Sequence, residues 1–274
     1  MIDPDYSVCL THYNQGRTLE RSLESILAQC PPATEVVVVD AGSDDGSLPV
    51  LRRLAAESDA LRLIVDPGCN RGEGRQRALV EARGEHVIAN YDFDQEYGDI
   101  LGPILDVYHD VQVREGPVAL RTAGNLFFAP RTLLLEVGGY RPIMRGEDHE
   151  LTDRLEDAGK LRYLPVLYTR NIDSPERTPK QRLQRGFRSA KGLYRIGFTP
   201  AQLFRFLYTQ HSLPTAVAGT PVYLTGILAG ALAGRVYNAR RKDWREIFEM
   251  SARPTYRDLL VEVPPELAEY AVTD

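Results

Sequence analysis

Residues Glu35-Val36-Val37-Val38-Val39-Asp40-Ala41-Gly42-Ser43-Asp44-Asp45-Gly46-Ser47 read EVVVVDAGSDDGS, four valines in succession that run into a loop of glycine, serine and aspartate. An unbroken β-branched run has no polar face to offer water, so it reads as a strand buried on both sides, as in a parallel sheet covered by helices. The same pattern recurs around it. YSVCLT (Tyr6 to Thr11) reads as a strand, Thr18 can cap a helix over LERSLESILA, and a second helix runs through Leu51 to Glu57. LRLIVD (Leu61 to Asp66) is a third strand, GEGRQRALVEA a helix, and HVIANY a fourth strand. Strands alternating with helices up to about residue 112 predict βαβ units on a largely parallel sheet. Each polar loop follows a strand's C-terminal end, the edge where open α/β sheets bind ligands.

The chain has 274 residues, 43% apolar and 26% charged, which excludes wholesale disorder and allows one large domain or a domain with an appendage. Cys9, Cys30 and Cys69 are odd in number and lack metal-ligand spacing, so a reducing cytoplasm is the simplest setting. The start, MIDPDYSVCL, has acids and a proline where a signal peptide has basic residues and a longer apolar core, so the N-terminal part is expected in the cytoplasm. The net charge of -5 hides a segregation of sign. Between Arg177 and Lys242 there are twelve basic residues and no acidic one, which leaves 21 basic against 38 acidic elsewhere. An acidic body with a cationic segment points to an anionic partner, membrane or nucleic acid, at that segment.

Where the fourth strand gives out, ANYDFDQ (Ala89 to Gln95) sets Asp92 and Asp94 one residue apart. If the chain is still extended there, both carboxylates point the same way and a cation relieves their repulsion. A polar turn after a strand is the alternative. Four loops, at Thr11 to Gln15, Asp40 to Ser47, Asn70 to Arg77 and Asp92 to Gln95, would converge on one sheet edge.

Taken in order, SVCLTHYNQGRTLERSLESILAQ, EVVVVDAGSDDGS, NRGEGRQRA, ANYDFD and GEDHEL resemble the family 2 glycosyltransferases over roughly residues 6 to 165. The resemblance implies an α/β GT-A fold and inverting transfer from a nucleoside diphosphate sugar. It makes DFD the family's metal motif, with Asp94 as ligand of Mn²⁺ or Mg²⁺ and Asp92 on the metal or the donor ribose. It places Thr11, Tyr13 and Asn14 at the nucleotide, Asp40 at the base, and Gly72 and Arg77 by the phosphates. Gly124, Asn125 and Glu147 fall at the acceptor, and Asp148 becomes the general base. The chain departs from the family at Ala41, where many relatives have a second aspartate, so UDP and GDP both stay open. Gly72-Glu73-Gly74 lacks the full spacing of a dinucleotide fingerprint. Within enzymes the rival is a sugar nucleotidyltransferase, which would open with a glycine-rich loop and lysine where this chain has THYNQGRT; outside enzymes it is a nucleotide-sugar binding module.

The expected division is a catalytic domain over 1–175, with a nucleotide half to about 112 and an acceptor half over 113–175, and then a basic helical region over 176–274. KQRLQRGFRSAKGLYRIGF spaces Arg182, Arg185, Arg188 and Lys191 in three-residue steps around Leu183, Phe187 and Leu193 or Tyr194, as an interfacial helix on anionic lipid would. No nucleic-acid module accompanies these charges, so membrane is preferred over nucleic acid. Leu213 to Gly234 carries no charge over 22 residues, but Pro214, Thr220 and Pro221 interrupt it. A helix starting at Pro221 would be too short to span, which predicts a re-entrant or surface-lying segment or a packed helix. The expected partners are a UDP- or GDP-sugar, a saccharide or polyprenyl-linked acceptor, and the inner face of the cell membrane.

Overall fold

Four parallel strands, three of them buried on both faces, organise the first half of the chain. In the computed structural model, which describes residues 4–172, 178–236 and 245–272, β1 (Tyr6–His12), β2 (Thr34–Asp40), β3 (Leu61–Val65) and β4 (His86–Ala89) pair in parallel, with β1 in the middle. Val36 to Val39 are at most 2% exposed, as a strand covered by helices on both sides requires. The helices α1 (Leu19–Leu27), α2 (Ser47–Glu57) and α3 (Arg71–Glu81) connect these strands. Thr18 does sit at the start of α1, but its hydroxyl bonds the carbonyl of Gln15 (3.2 Å) rather than the first turn. Asn70 and Glu73 close a reciprocal capping box on α3.

Beyond β4 come β5 (Gln95–Tyr97), α4 (Leu101–Glu115), β6 (Ala119–Thr122), β7 (Phe127–Pro130), α5 (Arg131–Glu136), α6 (Glu147–Asp157), β8 (Leu161–Leu164) and β9 (Thr169–Asn171). The main sheet has the order β3-β2-β1-β4-β7-β6-β8, with β7 antiparallel to both neighbours, and β5 pairs with β9 in a separate ribbon. Because β7 runs against β4, the β6–β7 turn returns to the edge where the parallel strands end, and Phe127 stands opposite Ala89. The fold is therefore mixed α/β with a mostly parallel sheet, as the sequence predicts.

The chain forms two compact units, residues 1–140, 155–174 and 258–274 in one, 141–154 and 175–257 in the other. This differs from the division expected at residue 175 in two places. Residues 258–272 return to the first unit, where Leu260 bridges to Tyr163, Ala271 bridges to Val166, and Val261 and Leu267 are buried in its core. The segment Arg141–Arg154, which holds the Glu-Asp motif, belongs to the second unit.

That second unit is built on α7 (Pro179–Arg195), α8 (Pro200–Gln210) and α9 (Leu213–Ala233). Thr178 and Thr199 cap α7 and α8 through capping boxes with Gln181 and Gln202. Two sequence expectations are corrected here. The run from Leu213 is one continuous helix of 21 residues that takes Pro214 in its first turn and Pro221 in its interior. Thr220 does not cap a shorter helix; its hydroxyl bonds the carbonyl of Ala216 at 3.0 Å, inside the helix. Nor does the apolar face of α7 await lipid, since Ala190 and Leu193 are buried in a core with Leu203, Leu207, Tyr223 and Ile227, and of that face Leu183 is exposed. Arg177 and the Arg240-Arg241-Lys242 cluster lie outside the described residues.

Close approach of α7 and α9 depends on glycine. A Cβ on Gly226 would stand 2.8 Å from both the Ala190 methyl and the Phe187 carbonyl oxygen. Gly226→Val is expected to destabilise the helical unit by about 1–3 kcal/mol through overpacking, read as a lower denaturant midpoint at unchanged slope.

Candidate active site at the C-terminal edge of the sheet

The edge of the sheet is organised by one buried carboxylate. Asp40 ends β2 opposite His12 at the end of β1, and both side chains are 0% exposed. Asp40 Oδ1 accepts the backbone N–H groups of Gly42 (2.9 Å) and Ser43 (2.8 Å), while Oδ2 accepts the Ser43 hydroxyl (2.7 Å) and His12 Nδ1 (2.8 Å). Burial pushes this carboxyl up, but the bonds from Ser43, His12 and Gly42 outweigh it and hold it below the ordinary carboxylate value.

From Ser43 onward the second loop is stapled to the first. Asn14, at φ +52°, donates its backbone N–H to Ser43 Oγ (3.0 Å) and its amide to Asp44 Oδ1 (2.7 Å), and accepts from the Asp44 N–H (2.9 Å). The Gly16 N–H donates to Asp45 Oδ2 at 2.8 Å. Tyr13 is left 56% exposed above these bonds, an aromatic face available to a base. Thr11 points to the other face, where a Cβ on Gly74 would come within 2.7 Å of its methyl, so α3 lies close on β1. Gly72 is buried in the first turn of α3.

The Asp-Phe-Asp segment turns rather than extends. The N–H of Gln95 donates to the Asp92 carbonyl at 3.2 Å, so the expectation of two carboxylates on one face of a continuing strand is replaced by a turn. Phe93 is fully buried and Asp92 and Asp94 flank it at half-exposed positions. The aromatic core fixes this turn. Tyr97 stacks on Tyr91 (4.5 Å between ring centres), and its hydroxyl accepts the Asp92 N–H at 2.9 Å.

Arg77, the arginine expected at the phosphates, is 52% exposed and paired with Glu81 (2.9 Å) on the outer face of α3. Arg75 takes the inner position. Its side chain is 5% exposed, its Nη2 stands 3.6 Å from Asp92 Oδ1, and its guanidinium lies over the Tyr140 ring (5.8 Å). The Tyr140 hydroxyl donates to Asn90 Oδ1 at 2.7 Å, and Asn90 adopts φ +64° immediately before the acidic turn. Helical spacing holds the signal for Arg75, which shares a stripe with Ala78, Leu79 and Ala82, all buried against the sheet.

Two further residues escape a reading by motif. His12 packs edge-on against Phe93 (5.0 Å, 88°), so the imidazole that donates to Asp40 also touches the centre of the acidic turn. Its Nε2 is buried without a hydrogen-bond partner among the described residues. Arg121, also buried, donates to Asn125 Oδ1 at 2.7 Å; Asn125 turns the β6–β7 connection at φ +68°, with Gly124 packed near Thr169. Thus Thr11, Tyr13, Asn14, Asp40, Asp92, Asp94, Gly124 and Asn125 stand on one edge, while Arg77 does not.

Glu147 and Asp148 open α6 in the second unit, Glu147 buried and Asp148 half-buried. The Asp148 carbonyl accepts the Thr152 hydroxyl at 2.7 Å. One turn on, buried Glu150 takes both Nε and Nη2 of Arg154 at 2.7 Å, and Asp153 pairs with Arg253 at 3.0 Å. His149 is half-buried.

Because Asp40 is ionised within a shell of donors, its stabilisation is present above the ordinary carboxylate pKa of 3.8 and lost as the pH falls through its lower folded value. Asp40→Asn turns an amide toward those donors and is expected to cost about 2 kcal/mol or more, seen as a lower midpoint at pH 7 and a flatter acid limb in urea titrations.

With this geometry in view, the chain can be compared with known proteins. Residues 7–107 match the sequence model of the family described as "Glycosyl transferase family 2". An uncharacterised glycosyltransferase of Nostoc sp. is 35% identical over 89 residues, 32% of this chain and 27% of that protein. The putative glycosyltransferase EpsE of Bacillus subtilis is 34% identical over 101 residues, 36% of this chain and 35% of its own length. The chain thus spans about a quarter to a third of the curated relatives it matches. Among solved structures, the mannosyltransferase PcManGT from Pyrobaculum calidifontis, in complex with GDP-Man and Mn²⁺, superposes with a TM-score of 0.50 at 21% identity over 86% of this chain and 77% of that one. S. aureus TarS 1–349 in complex with UDP gives 0.51 at 15% identity over 81% and 80%. These structural likenesses concern the fold. Residues 7–107 are thus similar in sequence to the family 2 glycosyltransferases, and the chain shares with these solved structures the mixed α/β architecture of the GT-A fold.

Proposed function

We propose that the protein transfers a sugar, with inversion, from a UDP- or GDP-sugar to an acceptor hydroxyl or lipid-linked phosphate at the cytoplasmic face of the membrane. The observation that carries this reading is the acidic turn held against a buried arginine, with Arg75 Nη2 at 3.6 Å from Asp92. A guanidinium buried there suits the oxygens of a diphosphate, and the outward acids suit a divalent cation that shares them. Among the described residues no group of three or more histidines, cysteines or acids could hold a metal ion. Asp92 and Asp94 would supply two carboxylate ligands, a donor set that fits Mg²⁺ or Mn²⁺ completed by water and phosphate oxygens. Such an ion, when bound, supplies charge neutralisation for the diphosphate leaving group.

The chain's own residues divide the remaining work. Tyr13 and the Asn14 loop receive the nucleoside, with Asp40 and His12 fixing the loop's shape. Asp148 takes the proton of the acceptor O–H as that oxygen bonds to the anomeric carbon, and the electron pair of the breaking C–O bond leaves with the nucleoside diphosphate. Glu147, Gly124 and Asn125 position the acceptor. The neighbours bound to GDP-Man with Mn²⁺ and to UDP support a nucleotide-sugar donor without choosing the base. The exposed basic residues of α7 support an anionic lipid surface, at about 1 kcal/mol per basic residue near it.

A panel of UDP- and GDP-sugars, assayed with Mn²⁺ and after chelation, tests the reading; turnover of one donor class that vanishes with EDTA is expected. Asp94→Asn should lower kcat by about 10²-fold or more while leaving metal-free nucleotide affinity within two-fold. Asp148→Asn should lower transfer by about 10²- to 10⁴-fold while sparing donor binding. Wild-type transfer rates in Asp148→Asn would remove the base assignment, and donor binding without turnover of any kind would leave a binding module.

A further inference from the structure

The helix α9 has two faces that differ in what covers them. Ala216, Tyr223, Gly226, Ile227 and Gly230 are buried. Leu213, Val217, Leu224, Leu228 and Leu232 recur at steps of four and seven residues along the opposite side and are all exposed, Leu228 by 63% and Leu232 by 92%. Of this uncharged helix only 28% of the apolar window is buried, and at 1.5 Å per residue the outer face extends roughly 31 Å. An apolar face of that length on a protein surface marks a contact site.

Charge decides what the contact is. Lys180, Arg182, Arg185 and Arg188 are exposed on α7, the helix packed against α9. An apolar stripe accompanied by cations matches an anionic lipid surface, with acyl chains under the leucines and headgroups by the arginines. Packing also decides the orientation. Gly186 lies against Val222, Gly226 against Ala190 and the backbone of Lys191, and Gly230 against Tyr194, so α7 accompanies the central part of α9. A membrane-spanning α9 would carry Arg188 and Lys191 into the hydrocarbon, where charged side chains are strongly disfavoured. Lying flat in one leaflet avoids that cost.

The same packing reaches the proposed base. Ile143 is fully buried in the core formed by α7, α8 and α9. A Cβ on Gly192 would lie 2.8 Å from the Arg145 carbonyl oxygen, and one on Gly146 would lie 2.7 Å from Ile196. The loop that delivers Glu147 and Asp148 therefore rests on α7, which packs mainly against α9. We propose that the outer face of α9 docks flat on an anionic bilayer and that the acceptor served by Asp148 is carried by a lipid of that bilayer; the second half rests on the glycosyltransferase reading above, the first half does not.

Flotation of the full chain with phosphatidylcholine vesicles, with and without phosphatidylglycerol, tests the docking. Wild type is expected to float with the anionic vesicles. Leu224→Gln/Leu228→Gln/Leu232→Gln should lose about ten-fold or more in vesicle affinity while keeping the wild-type unfolding midpoint and donor hydrolysis. Arg182→Gln/Arg185→Gln/Arg188→Gln should lose the dependence on phosphatidylglycerol. Flotation of the leucine variant equal to wild type overturns the docking, and if that variant instead shifts from dimer to monomer in solution, the face belongs to a second copy. Ser212→Cys and Ala233→Cys, at the two ends of α9, should both react with an impermeant maleimide added outside the vesicles, whereas reaction at one end alone means a span. For the acceptor, labelled donor sugar should enter the organic phase when vesicles of the source cell's total lipid are supplied, less so with the leucine variant. Label found only in water-soluble products from the cell's aqueous extract overturns the lipid acceptor while leaving the transferase intact.

Discussion

A single charge taken out of water, the Asp40 carboxylate, sets the shape of the loops at the C-terminal edge of the sheet. Burying an ionised carboxylate costs several kcal/mol unless donors surround it, and here four do. Two of those donors are backbone N–H groups of the following residues, so the carboxylate can be satisfied only if the 40–46 loop curls back over the end of β2. A third is His12, which ties the loop to β1, and the Ser43 hydroxyl that supplies the fourth also receives Asn14. The two loops are thereby one object, pre-shaped before any ligand arrives, which lowers the ordering entropy that binding would cost.

His12 extends the same constraint to the acidic turn, since the ring that donates to Asp40 also abuts Phe93. Phe93 in turn is what makes the acids point outward. A buried aromatic between two aspartates, within a turn closed by Gln95 and seated on stacked Tyr91 and Tyr97, leaves the carboxylates as the parts of the motif able to meet solvent. Arg75 is the electrostatic complement. Held under Tyr140 at the inner face of α3, it places a positive charge 3.6 Å from the Asp92 carboxylate.

In the helical unit the governing constraint is steric. Gly192 and Gly226 let α7 approach the Arg145 backbone and α9 at distances a Cβ does not permit, and Gly230 makes a nearly as close contact with the Lys191 carbonyl. The price of that closeness is that the apolar face of α7 is spent inside the protein, which moves the exposed apolar surface to α9. It also makes the Glu147-Asp148 loop part of the same packed body, joined through Ile143.

The strands, their parallel order and the edge where the loops gather were legible in the sequence because each depends on local periodicity, and Val36 to Val39 or the apolar positions of α3 show that periodicity directly. Motif order also singled out Asp40, Asp92 and Asp94, which the fold brings to that edge. What the sequence could not decide is which neighbour each side chain meets. Arg75 and Arg77 are two residues apart and chemically identical, and only the packing of α3 on the sheet buries one and leaves the other paired with Glu81. The turn at Phe93 depends on an aromatic core assembled from Tyr91, Tyr97 and Tyr168, and the continuity of α9 through Pro221 depends on the packing of α7 against it. Return of residues 258–272 to the first unit likewise rests on bridges to Tyr163 and Val166, nearly a hundred residues earlier. Local pattern fixes which face of an element is apolar, whereas the partner that covers that face is a property of the folded chain alone.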